Sequence, residues 1–228
     1  MSNRGYILKG PPLFFDGGFR FLWTLFLLVL LFFAPSAFAK ESTSVVLTYH
    51  ENGVLEWERN YKDGRQHGVT RRYSPDGRVQ GESFFKEGKL DGVVSTYNSE
   101  GFLQSELYYV AGRLQGLSKF YDGKGRLQMI VDFEDDKRDG IAKEFYADGA
   151  LKTRWAYKNG RMHGLTQQYD PKGRLKFEAN FTQGKRDGLT KAYGEDGSML
   201  FSHLYGSGKL ITQAVHEAKS SETSQSAN

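Results

Sequence analysis

One feature constrains this chain more than any other: a period of 24 residues that runs without insertion over most of its length. Tyr49, Tyr73, Tyr97, Tyr121, Tyr169 and Tyr193 fall on that spacing, with Phe145 filling the one gap. Four residues after each stands a glycine, from Gly53 to Gly197, and two further on an aliphatic residue or Met, from Leu55 to Met199. A second aromatic column follows at Tyr61, Phe85, Tyr109, Phe133, Tyr157, Phe181 and Tyr205. Three residues beyond it comes Gly, replaced once by Asp136, and then an unbroken column of cations: Arg65, Lys89, Arg113, Lys137, Arg161, Lys185 and Lys209. A last glycine closes six of the units, at 68, 92, 116, 140, 164 and 188. Self-similarity at such a period means stacked supersecondary units rather than a single irregular domain.

Within a unit the period is two. Leu127, Met129, Val131 and Phe133 alternate with Gln128, Ile130, Asp132 and Glu134, and Leu151 to Lys158 behaves the same way. Alternation over eight residues specifies a strand with unlike faces. Between strands stand Asn52-Gly53, Asp76-Gly77, Asp63-Gly64 and Asn159-Gly160, dipeptides that suit hairpin turns with both central residues at positive φ. Each unit therefore reads as two antiparallel strands and two turns. A lone hairpin buries too little to be stable, so the expectation is all-β: an elongated antiparallel array of seven units (49–72, 73–96, 97–120, 121–144, 145–168, 169–192 and 193–212). Residues 40–48 form a lead-in strand, and 213–228 a polar, disordered tail.

Residues 1–39 read as an address. Arg4, Lys9 and Arg20 precede an uncharged apolar run from Phe21 to Ala34, broken by Pro35 and followed by Ala37-Phe38-Ala39. A positive flank, an apolar stretch and a small-x-small box make a secretory signal peptide, with a mature chain starting at Lys40. The competing reading is an uncleaved anchor, since Phe21 to Ala39 could just span a bilayer. Either way the repeats lie outside the cytoplasm: periplasmic, on the cell surface or extracellular. The net charge of +4 is half carried by this leader, so the rest is nearly neutral and lacks a nucleic-acid footprint. With no cysteine, disulfides, thiolate catalysis and Cys-ligated zinc are excluded.

The patterns Y-x-x-x-G-x-L-x-x-E (Tyr49 to Glu58, Tyr97 to Glu106, Tyr169 to Glu178, and Tyr73 to Glu82 with Val79 at the Leu position) and Y-K-x-G-[KR] (Tyr61 to Arg65, Tyr157 to Arg161) resemble the bacterial MORN-repeat variants, including the YwqK-family antitoxins. The resemblance covers 49 to about 211. It implies a non-catalytic module that binds a partner or scaffolds an assembly, and it offers no catalytic residue to carry over. Ile130, Arg154 and Ser202 depart from it where the pattern has Glu.

No HExxH, GxSxG, phosphate-loop or dinucleotide-binding pattern occurs. His67 and His163 share one column, but Asp91, Gln115 and Asp139 lie between them, which sets them many strands apart. The expectations are no catalytic residue, no metal and no cofactor. Two surfaces remain. One is the aromatic face of Trp57, Tyr61, Phe85, Tyr109, Phe133, Trp155, Tyr157 and Phe181: core if the sheet curls on itself, a partner groove if it stays a single layer. The other is the cation edge from Arg65 to Lys209: a contact for anionic membrane lipid or cell-wall polymer, or a solvated turn column balanced by nearby acids. The function expected is an exported protein-binding scaffold, with an antitoxin- or immunity-like partner role as its specific form. The alternative is an envelope structural or adhesive protein that uses its cation edge.

Overall fold

A computed structural model describes residues 41–215 and the backbone of 6–8. The apolar segment and cleavage box on which export rests lie outside the described residues, as does the chain beyond Val215. The strands are β1 (Tyr6–Leu8), β2 (Thr43–Tyr49), β3 (Leu55–Lys62), β4 (Arg65–Tyr73), β5 (Val79–Lys86), β6 (Lys89–Tyr97), β7 (Leu103–Val110), β8 (Arg113–Leu114), β9 (Gly116–Tyr121), β10 (Leu127–Glu134), β11 (Lys137–Phe145), β12 (Leu151–Lys158), β13 (Arg161–Met162), β14 (Gly164–Tyr169), β15 (Leu175–Thr182), β16 (Lys185–Tyr193), β17 (Met199–Gly206) and β18 (Lys209–Val215). β8–β9 and β13–β14 are each one strand interrupted at Gln115 and His163, and no helix occurs among the described residues.

The expected array is present. Each strand pairs antiparallel with the next along the chain, and no register joins β18 back to β2, so the sheet is open. Two details differ from the sequence reading. β18 runs to Val215, so residues 213–215 are strand rather than tail. β1 lies within the segment read above as a leader and covers the outer edge of β2, pairing Tyr6–Leu8 with Leu47–Val45.

The two turn families are not alike. At the second turn, Lys62 pairs with Arg65 across only two residues, Asp63 and Gly64, at φ of 48° and 76°. All seven second turns have this double positive φ, and Asp136 takes the glycine position at 65°. That is the type I′ pattern, whose twist suits a two-residue hairpin. At the first turn only the glycine is left-handed, for example Gly53 at 82° and Gly101 at 88°. There His50 N–H donates to Val54 O at 2.8 Å and Gly53 N–H to His50 O at 2.9 Å, giving a longer loop around a tight turn. The expectation of two positive φ values per turn is thus right for one edge and wrong for the other.

The closing glycines have a role that periodicity alone did not reveal. Gly68, Gly92, Gly116, Gly140, Gly164 and Gly188 lie on the returning strand at φ between 65° and 129°. At this point Arg59 and Tyr61 face Thr70 and Gln66, so the returning strand carries two extra residues. Similar shifts occur at Ser83/Phe85, Val131/Phe133 and Ala179/Phe181. Six of the seven units therefore contain a glycine-built bulge three residues after the cation, and the seventh has Thr212 there.

Burial is concentrated in one cross-strand row. Thr70, Ser118, Ala142, Thr166 and Thr190 occupy a single 24-residue column, and Val131 and Ala179 are register partners of members of it. These small side chains, together with Thr153, are the buried ones. Larger rings flank them along the strands, as Phe177 and Phe181 flank Ala179, and remain half-buried. A single sheet has no opposing layer to enclose a large side chain on all sides. Only a short residue between bulky neighbours is lost from solvent.

Candidate binding surfaces

The eight residues of the aromatic face are all half-buried, and strand alternation puts them on the same side as the buried row. The structure thus gives them neither of the two expected environments in pure form: they wall the small-residue row and still present area to solvent. Arginines cap several rings. Arg59 lies over Trp57 with its guanidinium carbon 4.4 Å from the ring centre, Arg138 over Tyr157 at 5.4 Å and Arg186 over Tyr205 at 5.3 Å. Such contacts hold flat rings in place at modest energy, about 0.5–1 kcal/mol at exposed sites.

The opposite side carries what sequence reading overlooked, a row of exposed large apolar residues. Phe84, Val93, Tyr108 and Leu117 are cross-strand neighbours in the second and third units, with Leu117 58% exposed. Asp132 interrupts the row, and Leu189 and Leu204 resume it. Beside it runs the glutamate column of the repeat, whose job the structure makes explicit. Tyr121 Oη donates to Glu106 at 2.7 Å, Tyr193 Oη to Glu178 at 2.9 Å and Tyr73 Oη to Glu58 at 3.3 Å, always fifteen residues back. Lys119 and Lys191 add ion pairs of 3.1 Å to the same glutamates. Burial, with the Glu106 hydrogen bond second, pushes the Tyr121 hydroxyl up to about 12. The Tyr121 hydrogen bond in turn lowers Glu106. At Ile130 and Phe145 both members of this pair are replaced, whereas Tyr169 is kept fifteen residues after Arg154.

All seven cations of the edge column are exposed. Among the described residues only Arg113 forms an ion pair, with Asp135 at 3.1 Å. The tips to which they belong are stitched by backbone. Gly88 N–H donates to Gln66 O at 2.8 Å, Gly112 to Leu90 at 2.7 Å, and the pattern continues to Gly208 and Arg186 at 2.8 Å. The aspartates two residues after alternate cations also serve structure: Asp91, Asp139 and Asp187 accept from the N–H of Ala111, Asn159 and Ser207 in the next turn. His67 and His163 do not meet, and no group of three potential metal ligands occurs among the described residues. No described helix is long and apolar enough to cross a membrane.

Comparison with known proteins agrees with this geometry. The MORN repeat variant family matches residues 44–63, 66–87, 138–159 and 162–183. Three of the four matches start just after one type I′ turn, all four end at the next, and the first begins inside β2. No curated protein matches the chain in sequence. Among solved structures, a chain of accessory secretory protein 1, 2 and 3 from Streptococcus pneumoniae is 22% identical over 44% of this chain, which spans 18% of that one, with a TM-score of 0.30. That likeness is too low to argue from. Four units match the MORN repeat variant family, the remaining three share their period, turns and registers, and repeats of this kind suggest binding or scaffold roles.

Proposed function

We propose that this protein is an exported, non-catalytic scaffold that docks a protein partner on its aromatic face, in an antitoxin- or immunity-like role. The observation that carries this reading is the single layer. Eight aromatic side chains lie in register on one side of an open sheet, half-buried, with no second layer over them among the described residues. Rigid aromatics on a fixed scaffold are the anchors that protein interfaces favour. Export rests on the charged and apolar leader. The test is capture from intact cells with the chain as bait. Trp57→Ala/Trp155→Ala should lose the partner while circular dichroism stays that of the parent. Undiminished capture by a folded double variant would remove the aromatic face from the account.

A second reading is favoured by a separate observation, the exposure of all seven edge cations. In it the turn edge contacts an anionic polymer or lipid surface, and binding weakens as salt rises.

A further inference from the structure

Charge is not shared evenly along the edge of type I′ turns. From Lys62 to Asp139 the first four turns carry seven cations and seven acids. From Lys158 to Lys209 the last three carry Lys158, Arg161, Lys185, Arg186 and Lys209 against Asp187 alone. Arg186 leans over Tyr205 on the aromatic face, and Asp187 is engaged by the Ser207 N–H. Lys158, Arg161, Lys185 and Lys209 remain, exposed and without an ion pair among the described residues. At the balanced end Lys62 meets Glu41 at 2.8 Å and Arg113 meets Asp135 at 3.1 Å, and on the opposite edge Arg126 grips Asp122 at 2.7 Å and Arg174 grips Asp170 at 2.6 Å.

The same three turns enclose space. A cleft of about 320 Å³ is lined by Lys158, Asn159, Arg161, His163 and Gln183. A second, of about 260 Å³, is lined by Arg161, Gln183, Lys185 and Ser207 among others. Arg161 and Gln183 line both, so the two form one furrow across successive turns. Backbone bonds hold the tips together, and of the furrow's side chains Asp187 accepts from the Ser207 N–H while Arg161, Gln183 and Lys185 make no hydrogen bond among the described residues.

We propose that this furrow seats a linear polyanion bearing phosphate or carboxylate groups, held by Arg161, Lys185 and Lys209 in turn. These cations recur every second strand, about 9.6 Å apart, along a line rather than over a plane. A planar membrane surface would also have to meet Glu134, Asp135 and Asp136 in the adjoining turn, which repel anionic headgroups. A chain-like ligand can follow the last three turns and avoid the fourth. This inference rests on the second reading above and narrows it to one end of the edge.

The test is fluorescence anisotropy of labelled long-chain polyphosphate, and in parallel polygalacturonate, with the full chain. Arg161→Glu/Lys185→Glu/Lys209→Glu should weaken binding about tenfold or more, because each neutralised anion contributes to affinity. Arg65→Glu/Lys89→Glu/Arg113→Glu makes the same charge change at the balanced end and should cost less than about threefold. If the first triple variant melts early, Arg161→Gln/Lys185→Gln/Lys209→Gln keeps the comparison, with a smaller loss in the same order. Binding of one polymer alone separates phosphate from carboxylate and supports the site either way. Equal losses from both triples would overturn the location and leave the general edge reading standing. No binding of either polymer would overturn both. Binding only to anionic vesicles, lost with the first triple, would replace the polymer by a membrane.

Discussion

The two edges of this sheet solve the same problem by different means. On the type I′ edge, successive tips are joined by backbone, six times from a turn N–H to a carbonyl of the preceding turn. On the opposite edge they are joined by side chains: Asn52 Nδ2 donates to Pro75 O at 2.8 Å, Asn98 Nδ2 to Gly123 O at 2.9 Å, and Arg174 to Glu195 O at 2.6 Å. There aspartate and asparagine also accept from their own loop, as Asp122 Oδ1 does from Lys124 and Arg126 N–H. One edge therefore demands unusual backbone, with two left-handed turn residues and usually a bulge glycine per unit. The other demands particular side chains and one left-handed glycine. Backbone stitching leaves side chains at the first edge without a part in joining the tips, and the exposed cation column lies there.

The largest effect should come from the bulge glycines. A Cβ on Gly92 would lie 3.0 Å from Phe84 Cβ at a φ of +129°, whereas one on Gly101 meets nothing within 4 Å. Gly92→Ala should cost about 2–4 kcal/mol, combining backbone strain with crowding. Gly101→Ala should cost only the left-handed term, about 1–2 kcal/mol. Urea unfolding of both variants checks the order, and a reversal would mean that the bulge relaxes freely.

A smaller effect concerns the missing Tyr–Glu pair. Ile130→Glu/Phe145→Tyr should restore the hydrogen bond seen at Tyr121 and Glu106, with a coupling of about 0.5–1.5 kcal/mol in a double-mutant cycle. Additive single changes would show that the fifteen-residue pairing is incidental.

The smallest effect is in pH dependence. The Arg126 backbone N–H, then its side chain, then the Lys124 N–H hold the Asp122 carboxyl down to about 2. A depressed carboxylate contributes stability above its unfolded value, near 4, and that contribution is lost as pH falls through about 2. The raised Tyr121 hydroxyl works in the other direction: its contribution is complete below about 10 and disappears as pH rises through about 12. Asp122→Asn should flatten the acid limb of a stability–pH curve and leave the alkaline limb unchanged.

Much of this was legible in the sequence, because a 24-residue period without insertion fixes unit number, strand phase and the edge on which the cations lie. Other parts were hidden for physical reasons. Asx-Gly dipeptides serve both turn families, so only the number of residues between paired strand ends separates them. The closing glycine column was visible, but its bulge requires a register slip that alternation does not report. A search for large apolar residues passes over a buried row of Thr, Ser, Ala and Val, although the column from Thr70 to Thr190 was there to be read. The turn column marked the cations as exposed. Which of them stay unpaired depended on where neighbouring acids such as Asp135 direct their carboxylates, and that is three-dimensional information.

The difference between the edges is tested most directly by placing valine at the non-glycine position of each turn. Asn159 sits at a φ of +49° in a type I′ turn, whereas Glu100 is not among the residues at positive φ. Asn159→Val should destabilise by about 1–2 kcal/mol, since a β-branched residue is disfavoured in the left-handed region. Glu100→Val should stay within about 0.5 kcal/mol of the parent. Equal losses in urea unfolding, or a larger loss at Glu100, would contradict the division of the sheet into a backbone-stitched and a side-chain-stitched edge.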